Sequence, residues 1–301
     1  MSHQNPIDCL IVGGGPAGLT AAIYLRRFYR NIRLLDAGQS RAKLIPCTHN
    51  YPGFVEGISG PDLLARLRDQ LARDGGQVES GEVQRLTRTE DGCYLATTSL
   101  GDIHTRTLLL ATGVVDINPD LDGFAYLKQR GQIRYCPICD GFEHSDHQIG
   151  ILGNGEHGVK EALFIKNYSG SLSLIVLQER ADLSDDLRQT LRDRGVDLIE
   201  GAGKGLKPTE NGRVNLELAD GRCYCFDVLY CALGIEVRST LALQLEADCD
   251  GQGCLRVDDH METSLPGLYA AGDVTDRLDQ LAVATGQAAI AATAIHNRLA
   301  S

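Results

Sequence analysis

Apolar residues in this chain fall into short runs, and the informative ones are closed by glycine. Residues 7–12 (IDCLIV) predict a short buried strand, and 13–18 (GGGPAG) end it. Residues 19–29 are rich in Ala and Leu and predict a helix. Residues 32–35 predict a second strand that ends on Asp36. The same order returns from Gly13 to Gly153, 140 positions on. There, 148–152 (QIGIL) read as a strand, 153–158 (GNGEHG) as a glycine loop, 159–168 as a helix and 172–177 as a strand. Gln178-Glu179-Arg180 then follow. Alternating strands and helices at this spacing imply parallel sheets of an α/β protein.

Two further runs read as strands leading into tight turns, 107–113 (TLLLATG) and 226–234 (FDVLYCALG). Residues 115–119 follow the first and 236–239 the second, and both read as crossings between domains. Residues 267–273 (GLYAAGD) predict a strand running into Gly-Asp, and 282–299 a long Ala-rich helix. The expected organisation is a discontinuous first domain, 1–116 plus 237–301, with a second domain, 117–236, inserted into it.

Composition removes other classes. A chain of 301 residues with 43% hydrophobic and 23% charged residues is ordinary for a globular protein. Its apolar runs are too short to span a bilayer, and its first residues are polar, so neither a membrane segment nor a secretory leader is expected. With 29 basic against 40 acidic residues, the net charge of −11 argues against nucleic acid or an anionic membrane as partner. Most of the ten cysteines, in a chain without an expected leader, read as reduced thiols of a cytoplasmic protein, with Cys9 and Cys231 in core strands. No metal site is expected.

In the first loop, Gly13 permits the tight turn, Gly15 lets backbone approach a pyrophosphate, and Gly18 lets helix pack on strand. The helix that follows points its unpaired N–H groups and positive end at phosphate oxygens. Asp36 stands where a carboxylate accepts from ribose hydroxyls. The second loop (Gly153, Gly155, Glu156, His157, Gly158) has the same context but an acidic one. Glu179 would repel a 2′-phosphate, Asp182, Asp185 and Asp186 add negative charge, and Arg180 is the only nearby cation in sequence. NADH, or the adenosine half of a flavin dinucleotide, suits it better than NADPH; an empty vestigial loop is the alternative.

Cys136-Pro-Ile-Cys139 is followed by Asp140. This spacing closes a small disulfide ring, a thiolate at a helix start is favoured, and Asp140 could exchange protons with the thiols. Two other readings stand beside it. His144 and His147 complete a C-x2-C-x4-H-x2-H string that could hold zinc, though the histidines read as surface residues after a loop. The pair could also be plain buried cysteines. Cys223 and Cys225 are too close for an unstrained ring.

Residues 13–22, 50–54 (NYPGF), Ala111-Thr112-Gly113, 136–141, the second glycine loop and 271–274 (AGDV) occur in the order found in low-molecular-weight thioredoxin reductases, and the chain resembles that family over nearly its whole length. The resemblance implies two Rossmann-like, three-layer domains, a bound FAD and a homodimer. It implies that Gly13, Gly15, Pro16, Ala17, Gly18 and Asp36, with Ala111, Thr112 and Gly113, hold FAD. Gly272 and Asp273 would serve its ribityl-phosphate region, and Gln280 and Leu281, opening the last helix, would face its ring. Cys139 takes the place of the thiol beside the flavin, Cys136 of the exchanging thiol and Asp140 of the acid–base group. Where the family has a His-Arg-Arg run for NADPH, this chain has Gln178-Glu179-Arg180, and where the family has Arg-Gln before the last helix it has Asp279-Gln280. The segment Cys136–Glu143 followed by Gly153–Ala162 is more similar to atypical members. These are reduced by ferredoxin, carry a second flavin, or act as dithiol oxidases that pass electrons to oxygen. The expected activity is thus FAD-dependent thiol–disulfide exchange with a thioredoxin-like protein or a small disulfide or dithiol. Its donor is a ferredoxin, NADH or a second flavin rather than NADPH. An ordinary NAD(P)H-dependent reductase, an oxidase running the reverse reaction, and a non-enzymatic flavin sensor or relay are the alternatives. For an acidic ferredoxin-type donor, Arg26, Arg27, Arg30 and Arg33 form the densest basic cluster.

Overall fold

The computed structural model describes residues 5–301. The chain opens with β1 (Ile7–Val12), α1 (Pro16–Arg27), β2 (Ile32–Asp36), α2 (Gly60–Arg73) and β3 (Val78–Ser80). Then come β4 (Val83–Arg88), β5 (Tyr94–Thr98), β6 (Gly101–Leu110) and β7 (Val114–Asp116). It continues through α3 (Phe124–Gln129), β8 (Ile133–Arg134), α4 (Pro137–Asp140), β9 (Ile149–Gly153), α5 (Gly155–Ile165), β10 (Leu172–Val176), α6 (Asp185–Asp193) and β11 (Asp197–Glu200). After β12 (Gly203–Pro208), β13 (Val214–Leu218), β14 (Cys223–Phe226), β15 (Val228–Ala232) and β16 (Ile235–Val237), it ends with α7 (Thr240–Leu243), β17 (Leu268–Ala270) and α8 (Leu281–Ala300). Two compact units result. One takes the chain up to Pro46, Tyr51–Val115 and Glu236–Ser301; the other takes Cys47–Asn50 and Asp116–Ile235.

The first unit is built on a seven-stranded sheet in the order β3-β2-β1-β6-β5-β4, with β17 added on β6. The strand β6 is ten residues long and serves two partners along one edge. Gly101–Thr105 pairs antiparallel with β5, and Leu108–Leu110 pairs parallel with β17. Its other edge pairs parallel with β1. Strand alternation then divides the core in two. Cys9 and Ile11 of β1 pack with residues of α1, α2 and α8, while Leu10 and Val12 pack on the opposite face with residues of β4 and β5.

The second unit repeats the scheme. A parallel sheet, β11-β10-β9-β15-β8, lies between helices and a three-stranded antiparallel sheet, β12-β13-β14. Ile149 and Ile151 of β9 face residues of α5 and α6, and Leu152 faces residues of the antiparallel sheet. Each unit is therefore three layers, the ββα arrangement expected of a Rossmann-like nucleotide-binding fold. In the run 226–234, Phe226 ends β14 of the antiparallel sheet, and Val228–Ala232 form β15 of the parallel one. Among the described residues no helix is long and apolar enough to cross a membrane.

Candidate active site

In the first unit the glycine loop has backbone where side chains cannot fit. A Cβ on Gly13 would lie 2.2 Å from the Ala111 carbonyl oxygen, and one on Gly18 would lie 1.9 Å from the Gly13 oxygen. Gly13 has φ +111°, a conformation that favours glycine. A Cβ on Gly14 would meet the Asp36 carboxyl at 2.5 Å. The loop, the end of β2 and the turn at 111–113 thus converge. Gly272 joins them, because its Cβ would sit 3.2 Å from that of Ala17 and 3.7 Å from that of Ala284 in α8.

The helix α1 starts with Gly15 as N-cap and Pro16 in its first turn. It has no side-chain cap and no acid in that turn, so its positive end is open to an anion. Asp36 is buried, accepts from Gly38 N–H at 3.0 Å and pairs with Arg68 at 3.3 Å. Asp273 pairs with Arg41 at 3.2 Å, and the same guanidinium lies 3.5 Å from Asp279. Thr112 donates through Oγ1 to the Arg238 carbonyl at 2.7 Å, and Gln287 accepts from Gly272 N–H at 2.7 Å. Gln280 caps α8 and donates from Nε2 to the Asp279 carbonyl at 2.8 Å, and Leu281 begins that helix. A bare backbone cradle, an uncapped helix end and a buried carboxylate at the next strand end fit an ADP group such as that of FAD. Arg41, Arg68 and Ser40, whose Oγ would lie 3.3 Å from a Gly15 Cβ, carry no sequence signal because they come from segments outside the motif.

In the second unit Cys136 and Cys139 are joined by a disulfide, with Cα atoms 5.4 Å apart. Cys136 caps the single helical turn α4 and Pro137 occupies its first position. Asp140 closes that turn and is buried. Its Oδ1 accepts from the Tyr230 hydroxyl at 2.7 Å, and its Oδ2 lies 3.4 Å from Arg134 Nε. Burial pushes the Asp140 carboxyl above the usual range, with Tyr230 and Arg134 opposing it. From the segment Cys47–Asn50, Asn50 donates to the Ile138 carbonyl at 3.1 Å. His49 Nδ1 lies 3.2 Å from Glu143 and its Nε2 lies 3.7 Å from Cys47 Sγ.

With both thiols joined in the disulfide, neither is available as a zinc ligand in this structure. His144 departs from its expected surface position. It is half-buried against the edge of Tyr230, and burial, with Arg134 and His147 nearby, pushes its pKa down to about 4. His147 is exposed as expected. Nothing in the run FDVLYCALG marked Tyr230, because a tyrosine in an apolar strand reads as core.

The second loop lines a cavity of about 440 Å³ with Asn154, Gly155, Glu156 and His157, together with Val176, Gln178 and Asp182. Glu179 and Arg180 are exposed and do not line it. Gly153 and Gly158 serve packing instead: a Cβ on Gly153 would come 2.9 Å from the Gly158 Cα. Of the neighbouring cations, Arg188 pairs with Glu200 at 2.8 Å and Lys160 with Glu156 at 2.8 Å, while Arg180 is exposed. The basic cluster of the first unit is likewise engaged. Arg33 forks onto Glu79, Arg27 pairs with Asp74, and Arg30 bonds both the ring and the carbonyl of His296.

Two three-layer nucleotide-type folds and a C-x-x-C disulfide beside a buried acid define the class of nucleotide-dependent disulfide oxidoreductases. Residues 7–288 match the family described as pyridine nucleotide-disulphide oxidoreductase, and the chain belongs to that family. It is similar to the thioredoxin reductase of Listeria monocytogenes, 27% identical over 302 residues that cover 96% of this chain and 93% of that one. The structure of thioredoxin reductase from Streptococcus pyogenes superposes with a TM-score of 0.88 at 26% identity, covering 98% of each chain. That of HlmI superposes with a TM-score of 0.89 at 29% identity, covering 100% of this chain and 94% of that one. The protein is thus a thioredoxin reductase-like, flavin-dependent disulfide oxidoreductase.

Proposed function

We propose that the first unit holds FAD through Gly13, Gly15, Pro16, Ala17, Gly18 and Asp36, with 111–113, Gly272, Asp273, Gln280 and Leu281 completing the site. We propose further that Cys136 and Cys139 exchange electrons with it, and that NADPH is not the donor. The partner is a disulfide of a thioredoxin-like protein or of a small molecule. The observation that carries this reading is the disulfide closed beside buried Asp140 in a chain that also holds an uncapped glycine cradle. Bound flavin supplies two-electron redox chemistry; the residues below do the rest.

Two electrons and two protons convert the disulfide to a dithiol. Cys136 thiolate attacks one sulfur of the partner disulfide, forming a mixed disulfide and releasing one partner thiolate. Cys139 thiolate attacks Cys136 Sγ, the second partner thiolate leaves, and the Cys136–Cys139 bond closes. Asp140, with its raised proton affinity, gives a proton to a leaving thiolate and takes it back from a thiol.

The case against NADPH is electrostatic. A 2′-phosphate in the second cavity would meet Glu156 and Asp182, with Arg188 and Lys160 each paired to an acid and Arg180 the one cation of the 178–182 stretch. The reading leaves NADH, a second flavin or a ferredoxin-type protein as donor. Heat release of the cofactor is expected to yield FAD, and titration of the native protein with NADPH to leave the flavin oxidised. Bleaching by stoichiometric NADPH would overturn the donor assignment. A colourless protein would overturn the whole.

A further inference from the structure

We infer that Tyr230 is a positioning residue for the proton on Asp140, its hydroxyl donating to Oδ1 of the carboxylate and accepting from the same oxygen of the acid. The inference rests on the acid–base role proposed for Asp140 and deepens it.

The strand register builds the arrangement. Tyr230 of β15 pairs with Arg134 of β8 as Cα partners in parallel strands. Asp140, on the helical turn after β8, takes one of these side chains on each oxygen: the Tyr230 hydroxyl at 2.7 Å on Oδ1 and Arg134 Nε at 3.4 Å on Oδ2. Tyr230 is 1% exposed and Asp140 9%.

Four ionisable groups face Asp140. They are Tyr230 from β15, Arg134 from β8, Glu143 from the turn that follows α4, and His49 from the segment 47–50. Glu143 and His49 lie 3.2 Å from each other. The two direct neighbours differ in what they can do. A guanidinium carries only donors, so a proton on Oδ2 would point at donors it cannot satisfy. A hydroxyl both donates and accepts. Neutral Asp140 therefore keeps its proton on Oδ1, shared with the Tyr230 oxygen, and ionised Asp140 recovers the Tyr230 hydrogen by a rotation of one O–H bond. Burial and the adjacent carboxyl hold the Tyr230 hydroxyl far above the ordinary phenol range, so it keeps its own hydrogen throughout. Asp140 thus changes charge without losing a partner, which an acid buried in a protein interior otherwise does at high cost.

The test uses flavin-loaded protein with the disulfide intact, carrying aspartate labelled with carbon-13 at the carboxyl. The Asp140 signal is assigned by its loss in Asp140→Asn. Tyr230→Phe removes the donor and is expected to raise the Asp140 midpoint by about half a pH unit or more. Replacement of Tyr230 by 3-fluorotyrosine keeps ring and hydroxyl but strengthens the donor, and is expected to lower the midpoint. The pH limb of exchange between the reduced protein and a small aromatic disulfide, read by stopped flow, is expected to move with it in each case. A midpoint unmoved in both proteins overturns the role of Tyr230. A midpoint that moves while the exchange limb stays in place removes Asp140 from the chemistry, and this inference with it.

Discussion

His144 is a residue whose position changes what acid does to the protein. Its ring is held neutral by burial first, then by Arg134 and His147, and its pKa falls from the ordinary 6.5 to about 4. Above pH 6.5 neither folded nor unfolded chain protonates it. Below that, the unfolded chain takes a proton that the folded one refuses until about 4, so stability falls as pH drops through this window. For a half-exposed ring the loss is about 1–2 kcal/mol. Urea unfolding at pH 7 and pH 5 checks it, and His144→Gln is expected to flatten the difference. Gly18 is a residue of the opposite kind, fixed by lack of space. Gly18→Ala would press a methyl group against the Gly13 carbonyl and is expected to cost about 2 kcal/mol or more, together with flavin content measured after purification.

At the scale of elements, the helices divide by how they begin. Ser59 caps α2 by accepting from Asp62 N–H, and Ser184 caps α6 by accepting from Leu187 N–H. Ser59→Ala and Ser184→Ala are each expected to cost about 1 kcal/mol in urea melts. The helices α1 and α5, which follow the glycine loops, have no side-chain cap. Both begin earlier than the sequence pattern predicts, at Pro16 rather than 19 and at Gly155 rather than 159. Glycine is a poor helix former, so pattern reading starts a helix after the last one. Here Gly18 and Gly158 lie within their helices because a strand passes too close for any side chain.

The parallel strands were legible because alternation and glycine punctuation both mark them. The antiparallel pairs β4-β5 and β12-β13 were not: their runs, such as VQRLTR, are mostly polar outside one face. The site was legible where it is made of contiguous motif, at 13–18 and 136–140. It was not legible where a long-range contact makes it, as with Tyr230, Arg134 and His49. Charge reading found Arg26, Arg27, Arg30 and Arg33 but not Asp74 and Glu79, which pair with Arg27 and Arg33, nor His296, which accepts from Arg30, since all three are far along the chain.

For the molecule as a whole, each unit buries a thiol within one of its core strands. Cys9 lies in β1 of the first unit and Cys231 in β15 of the second; burial pushes each up to about 12, and both are kept as unreactive thiols. An alkylating reagent can mark either only when its own unit opens, so the two rates report local opening separately, with no probe introduced. A ligand that binds one unit slows opening of that unit. Stripping the flavin is therefore expected to quicken labelling of Cys9 at least tenfold, or about 1.4 kcal/mol of lost protection, and to leave Cys231 unchanged in peptide mass spectra. Two native sulfur atoms would then say which half of the polypeptide the prosthetic group holds shut.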